Sequence, residues 1–129
     1  MALLPETLRV GVDAIDRRHE EFYDLYQHLK TAPDTEFVTR FEAVIHHTRT
    51  HFAEEEADME GIDYPNSAEH RAEHQKALEE MDYFLQKAKS GRMVFAKGYA
   101  AERLGDWFRN HLLNMDSDLA RVMKLQGVH

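Results

Sequence analysis

The 129-residue chain contains no cysteine. That absence excludes disulfides, thiolate zinc sites, cysteine-ligated iron–sulfur clusters and a cysteine nucleophile, so any metal must be held by nitrogen and oxygen. Proline and glycine are scarce, at 3 and 6 residues, and the stretches they punctuate show no strand signal. No run approaches the roughly 18 apolar residues of a membrane span. The start, MALLPETLRVG, lacks the positive region and apolar core of a signal peptide, so a cytoplasmic protein with no membrane partner is expected. Basic residues are outnumbered and scattered, and the net charge of −8 argues against nucleic acid as a partner. The length suits a single domain over residues 1–129.

Histidine is present in excess. Nine occur in this short chain, about three times the number ordinary composition would supply. Their placement follows from four helical stretches. The first, from about Asp13 to Lys30, carries Ile15, His19, Phe22, Tyr26 and Leu29 on one stripe. The second, from about Thr35 to Glu60, turns Phe37, Phe41, Val44, Ile45, Phe52 and Met59 inward, and Gly61 and Pro65 end it. Asn66 and Glu69 have the spacing of a capping box for the third, whose stripe is His70, His74, Ala77, Met81, Phe84 and Ala88. The fourth, from about Val94 to Lys124, places Leu104, Trp107, Phe108, His111, Met115, Leu119 and Val122 inward, with Gly98 and Gly105 weakening its start. Short connections predict an all-α, antiparallel up-down-up-down four-helix bundle. His19, His51, His70, His74 and His111 then meet within a few turns of one end, which makes that end a candidate metal site.

Helix angles sort the run HHTRTHFAEEE of residues 46–56. With about 100° per residue, Glu55 lies about 40° from the core direction of the second helix and about 40° from His51. Glu56 lies about 60° from the core direction but about 140° from His51, and His46, His47 and Glu54 lie more than about 120° from the core. The inward pair is His51 and Glu55. Near His111, Asp118 is nearly eclipsed and Asp116 is about 140° away on an ideal helix, so angle favours Asp118, with Asp116 open as a carboxylate reaching in from the flank. Five histidines and two carboxylates exceed one structural zinc site and suffice for two carboxylate-bridged ions such as iron or manganese. The Glu-x-x-His of the carboxylate-rich di-iron oxidases and ferritins does not occur here. Because neutral imidazoles stabilise high oxidation states less well than carboxylates do, such a site is expected to favour reversible oxygen binding over O–O cleavage.

The segments VGVDAIDRRH, THFAEEEADM, HRAEH and DWFRNHLLNMD, in that order and spacing, resemble the single-domain bacterial members of the hemerythrin family. The resemblance covers nearly the whole chain. It implies two iron ions inside one end of the bundle, with His70, His74 and His111 on one, His19 and His51 on the other, and Glu55 and Asp116 bridging them, which selects Asp116 over Asp118. It further implies an oxo or hydroxo bridge and end-on binding of dioxygen at the iron held by His19 and His51. Phe22, Phe52, Trp107 and Leu112, each next to or one turn from a ligand, are the expected apolar wall of the oxygen pocket. Leu4, His47 and Phe108 depart from the residues common in the family, an N-terminal tryptophan, a tyrosine and a leucine. His47 is a candidate hydrogen-bond partner for a metal ligand; His28 and His129 read as solvated.

The expected function is a dioxygen carrier, store or supplier rather than an enzyme. The alternatives are oxygen or redox sensing through a protein partner, disfavoured by the lack of a fused output domain, and di-iron chemistry on peroxide, nitric oxide or ferrous iron. An apolar pocket with no evident general acid weighs against the latter.

Overall fold

A computed structural model describes residues 4–129. After a short 3₁₀ turn at Glu6–Leu8, α1 spans Asp13–Lys30, α2 Asp34–Gly61 and α3 Ser67–Lys89. The fourth helix of the bundle is composite. It runs through α4 (Met93–Gly98), a π-helical turn (Tyr99–Arg103), α5 (Leu104–His111), a second π-helical turn (Leu112–Asp116) and α6 (Ser117–Leu125). The residues at each junction keep right-handed helical dihedrals, so these pieces form one unbroken helix. No strand occurs among the described residues, and none of their helices is long and apolar enough to cross a membrane.

The expected boundaries hold to within a residue or so because the punctuation is local. Pro33, extended at φ −68° and ψ 161°, leads into α2; a proline at that point costs no helical hydrogen bond. Gly91, at φ 88°, makes the left-handed turn that ends α3. The capping box does not form. Asn66 precedes α3, but its side chain makes no cap hydrogen bond and instead engages Tyr64 and Asp118.

α1 packs on α2, α2 on α3, and α3 on the fourth helix, which returns alongside α1. Every expected core residue of α1 is buried, and Leu4 adds its side chain to the same core. The bundle end away from the histidines is apolar and aromatic, with Phe37 and Phe41 fully buried and Tyr99 stacked on Phe84 at 4.3 Å between ring centres. Truncating either buried phenylalanine to alanine removes packing worth about 3–5 kcal/mol. At the other end the buried Asp16 accepts hydrogen bonds from the backbone N–H groups of Val10 (2.8 Å) and Gly11 (3.1 Å). That anchors the N-terminal segment one turn before His19.

Gly105 of the fourth helix lies against the Tyr26 side chain of α1. A Cβ there would lie 2.4 Å from the Tyr26 hydroxyl oxygen, a distance no side chain tolerates. The glycine that weakens the sequence signal for a helix is thus required by packing.

Candidate metal centre

His70 and His74 stand four residues apart on the inner face of α3, both buried at 1% exposure. His111 reaches the same point from α5, Glu55 from α2, and Asp116 from the second π-helical turn. One donor atom from each lies within 4.8 Å of every other. His70 Nε2 is 3.2 Å from His111 Nε2, 2.7 Å from Glu55 Oε1 and 3.0 Å from Asp116 Oδ1. His74 Nε2 is 3.1 Å from Glu55 Oε1, and His111 Nε2 is 3.2 Å from Asp116 Oδ1. Donors at right angles on metal bonds of about 2.1 Å are about 3.0 Å apart, so these separations match the edges of a coordination octahedron.

Hydrogen bonding alone does not account for the cluster. Asp116 Oδ1 is close to two ring nitrogens but off the hydrogen-bond line of both. With the Nδ1 atoms of His19, His70 and His111 it makes up the buried side-chain polar atoms without a hydrogen-bond partner among the described residues, and all four lie in this one place. Of these, Asp116 Oδ1 faces the converging Nε2 atoms and has room for an ion, whereas the three Nδ1 atoms lie on the far edges of their rings. The electrostatics agree. Burial disfavours protonated His70, but hydrogen bonds to Asp116 and Glu55 outweigh it and push its pKa up to about 9. Burial likewise opposes ionisation of Asp116, yet His111, His19 and His70 hold its carboxyl well below the usual range. The carboxylate charge is thus balanced here by a protonated His70, whose proton a bound cation would replace.

Asp116 faces two ways. Its Oδ2 meets His19 Nε2 at 2.9 Å, on the side away from the three-histidine group. Between His19 and Glu55 lies a cavity of about 30 Å³ with Phe22, Phe52, Trp107 and Phe108 in its wall, about the volume of one small molecule. His51 also lines it, but its Nε2 meets Glu21 Oε2 at 2.7 Å instead of joining Asp116 and Glu55. Leu112 does not line this cavity. It follows His111 directly, about 100° round the helix, and is buried in the bundle core. Phe108 takes that role, stacking on Phe22 at 4.5 Å and meeting the His19 ring edge-on at 5.7 Å.

The second π-helical turn explains why ideal angles favour the wrong aspartate. In a π-turn the fifth residue, not the fourth, completes the turn. At roughly 80° per residue Asp116 falls within roughly 50° of His111 rather than about 140°. Downstream the buried face shifts by one residue. Met115 and Val122 are only partly buried, while Asp116, Ala120 and Met123 are buried beside Leu119. Asp118 lies on the flank, accepting a hydrogen bond from Tyr64 and one from Arg121 at 2.9 Å.

In the run of residues 46–56, Glu55 is buried and Glu54 exposed, as the angles predict. Glu56, marginal by angle, accepts His74 Nδ1 at 2.9 Å and binds Arg71 at 3.2 Å. Phe52 stacks flat on His74 with ring centres 3.7 Å apart. Trp107 stacks on His111 at 4.7 Å and donates its indole N–H to Glu73 at 3.2 Å. Glu56, Glu73, Asp16 and Glu21 are thus site-supporting carboxylates that sequence reasoning missed. Glu56 alone carried a signal, its angle at the edge of the inward face. His47 makes no hydrogen bond to a residue of the buried cluster; its ring lies 5.9 Å from that of His51.

Comparison with known proteins bears on the same constellation. Residues 10–122 match the family model described as the hemerythrin HHE cation binding domain. The chain belongs to the hemerythrin family. It is 36% identical over 122 residues to a bacteriohemerythrin of Ralstonia nicotianae, covering 95% of this chain and 88% of that one. A bacteriohemerythrin of Stenotrophomonas maltophilia is 27% identical over 130 residues, covering 96% and 84%. Among solved structures, a leucine-to-phenylalanine mutant superposes with a TM-score of 0.80 at 25% identity, over 95% of this chain and 98% of that one. A wild-type hemerythrin superposes at 0.76 with 24% identity, over 87% and 88%, and supports the fold alone. Hemerythrin membership makes this a helical, non-haem iron protein of an oxygen-binding family.

Proposed function

We propose that this protein binds dioxygen reversibly at a pair of irons, as a carrier, store or supplier. His70, His74 and His111 would hold one ion, His19 and His51 the other, and Glu55 and Asp116 would span the two. The observation that carries this reading is Asp116, whose two oxygens face a three-histidine group on one side and His19 beside a small apolar cavity on the other. Iron held by these residues would supply the reversible redox chemistry that dioxygen binding needs.

The chain's own groups favour binding over turnover. Phe22, Phe52, Trp107 and Phe108 give the cavity an apolar wall. Its remaining polar neighbours are committed elsewhere. Thr48 donates its hydroxyl to the Val44 carbonyl at 2.7 Å, and Arg18 is paired with Glu54 and Asp58. Neither is free to act as a general acid. Glu56 and Phe52 fix the His74 ring from two directions.

The test is to reduce the iron-loaded protein anaerobically, admit oxygen, and follow the visible spectrum through repeated deoxygenation. A band that appears and disappears over several cycles is the expected result. Irreversible conversion accompanied by turnover of peroxide or nitric oxide would replace this reading with an enzymatic one.

A further inference from the structure

A second group of metal-binding side chains lies at the rim of the cavity, outside the buried cluster. Glu21 of α1 and His47 and His51 of α2 each offer a donor atom within 4.8 Å of the others. The two histidines are four residues apart on an unbroken helix and so share a face. The carboxylate comes from the neighbouring helix, 2.7 Å from His51 Nε2. His51 belongs to two groups at once by position, since it also lines the cavity with Glu55 and Asp116.

We propose that Glu21, His47 and His51 form an outer station for a divalent cation, from which His51 passes the ion inward to Asp116 and Glu55. The proposal rests on the reading of His51 as a ligand of the inner centre. Two imidazole nitrogens and one carboxylate oxygen suit an ion of the ferrous class. Three donors from side chains that are exposed or only partly buried leave open positions, so capture is weak and release is easy. His51 keeps hold of the ion while its side chain turns, and Glu21 and His47 are exchanged for the carboxylates inside. The chain's net charge of −8 favours the approach of cations.

The test is cobalt(II) uptake without oxygen. The protein is stripped with a chelator and mixed with cobalt(II) chloride; visible ligand-field absorption gives the rate and elemental analysis the final content. Wild type should take up two ions per chain. Glu21→Gln and His47→Ala should each slow one phase roughly tenfold while reaching the same final content. Glu54→Gln, which removes a nearby exposed charge outside the station, should load as wild type does. Wild-type rates in Glu21→Gln or in His47→Ala overturn the station, as does equal slowing in Glu54→Gln, which would make general charge sufficient. Wild-type protein that binds fewer than two ions overturns instead the two-ion centre on which the station rests.

Discussion

α2 and the fourth helix both deliver a carboxylate to the same buried point, by different local geometry. α2 is regular over 28 residues, and angle arithmetic separates buried Glu55 from exposed Glu54. The fourth helix contains two π-helical turns, and the same arithmetic picks Asp118 where the chain buries Asp116. A π-turn is in effect one residue inserted into a helix. Here it rotates an aspartate into the cluster and carries the downstream apolar face with it.

Single-residue deletions should separate the two helices most sharply. Removing exposed Ala53 from α2 rotates everything after it by about 100°, which displaces Glu55 and Met59 together; loss of bound metal and of cooperative thermal unfolding is expected. Removing exposed Asn114 from the π-turn should do neither, because His111 and Asp116 then sit four residues apart on a plain α-helix and keep one face. Elemental analysis and circular dichroism melts read both outcomes. If the Asn114 deletion loses metal as the Ala53 deletion does, the inserted-residue description is wrong.

Point substitutions probe the carboxylates themselves. Asp116→Ala should weaken metal binding by about a hundredfold or more, while Asp118→Ala retains it. Glu55→Ala and Glu54→Ala should split in the same way, and titration with a competing chelator measures all four.

A smaller effect is a pH dependence in protein stripped of metal. The His70 pKa is raised from 6.5 to about 9, so its contribution to stability is complete below 6.5 and is lost as pH rises through about 9. Denaturant midpoints should therefore fall over that interval, and His70→Gln should flatten the fall. His51 of α2, whose pKa burial lowers from 6.5, has the opposite sign: its contribution weakens stability as pH drops below 6.5. The smallest change expected is Tyr64→Phe, which removes one hydrogen bond to Asp118, worth about 1 kcal/mol, with metal content unchanged.

Much of this was legible in the sequence because helix periodicity and punctuation are local signals. The stripe through Ile15, His19, Phe22, Tyr26 and Leu29 is buried without exception, and four of the five expected histidines are buried where the stripes meet. Asp116 was one of two candidates from the residues and was selected over Asp118 only through family resemblance, since no propensity in LLNMD announces a π-turn. The capping box failed for another reason. The Asn66 side chain turns to its chain neighbour Tyr64 and to Asp118, and only the second of these is brought close by tertiary packing. The supporting acids escaped notice because charged residues are ordinary on helix surfaces, and what distinguishes Glu56 is the ring nitrogen of His74, 18 positions away in the chain.

Gly105 has a reach beyond its own contact. Its missing side chain sets the gauge between α1 and the fourth helix against Tyr26, and one turn further on Phe108 stands between two spaces, the inner cavity and an outer one lined by Tyr26 and Gly105. The partition between solvent and centre is thus only as thin as that gauge allows. His19 stands on α1 and His111 and Asp116 on the fourth helix, with His19 Nε2 2.9 Å from Asp116 Oδ2, so the spacing held at Gly105 couples the width of the cavity to the reach between the donor atoms.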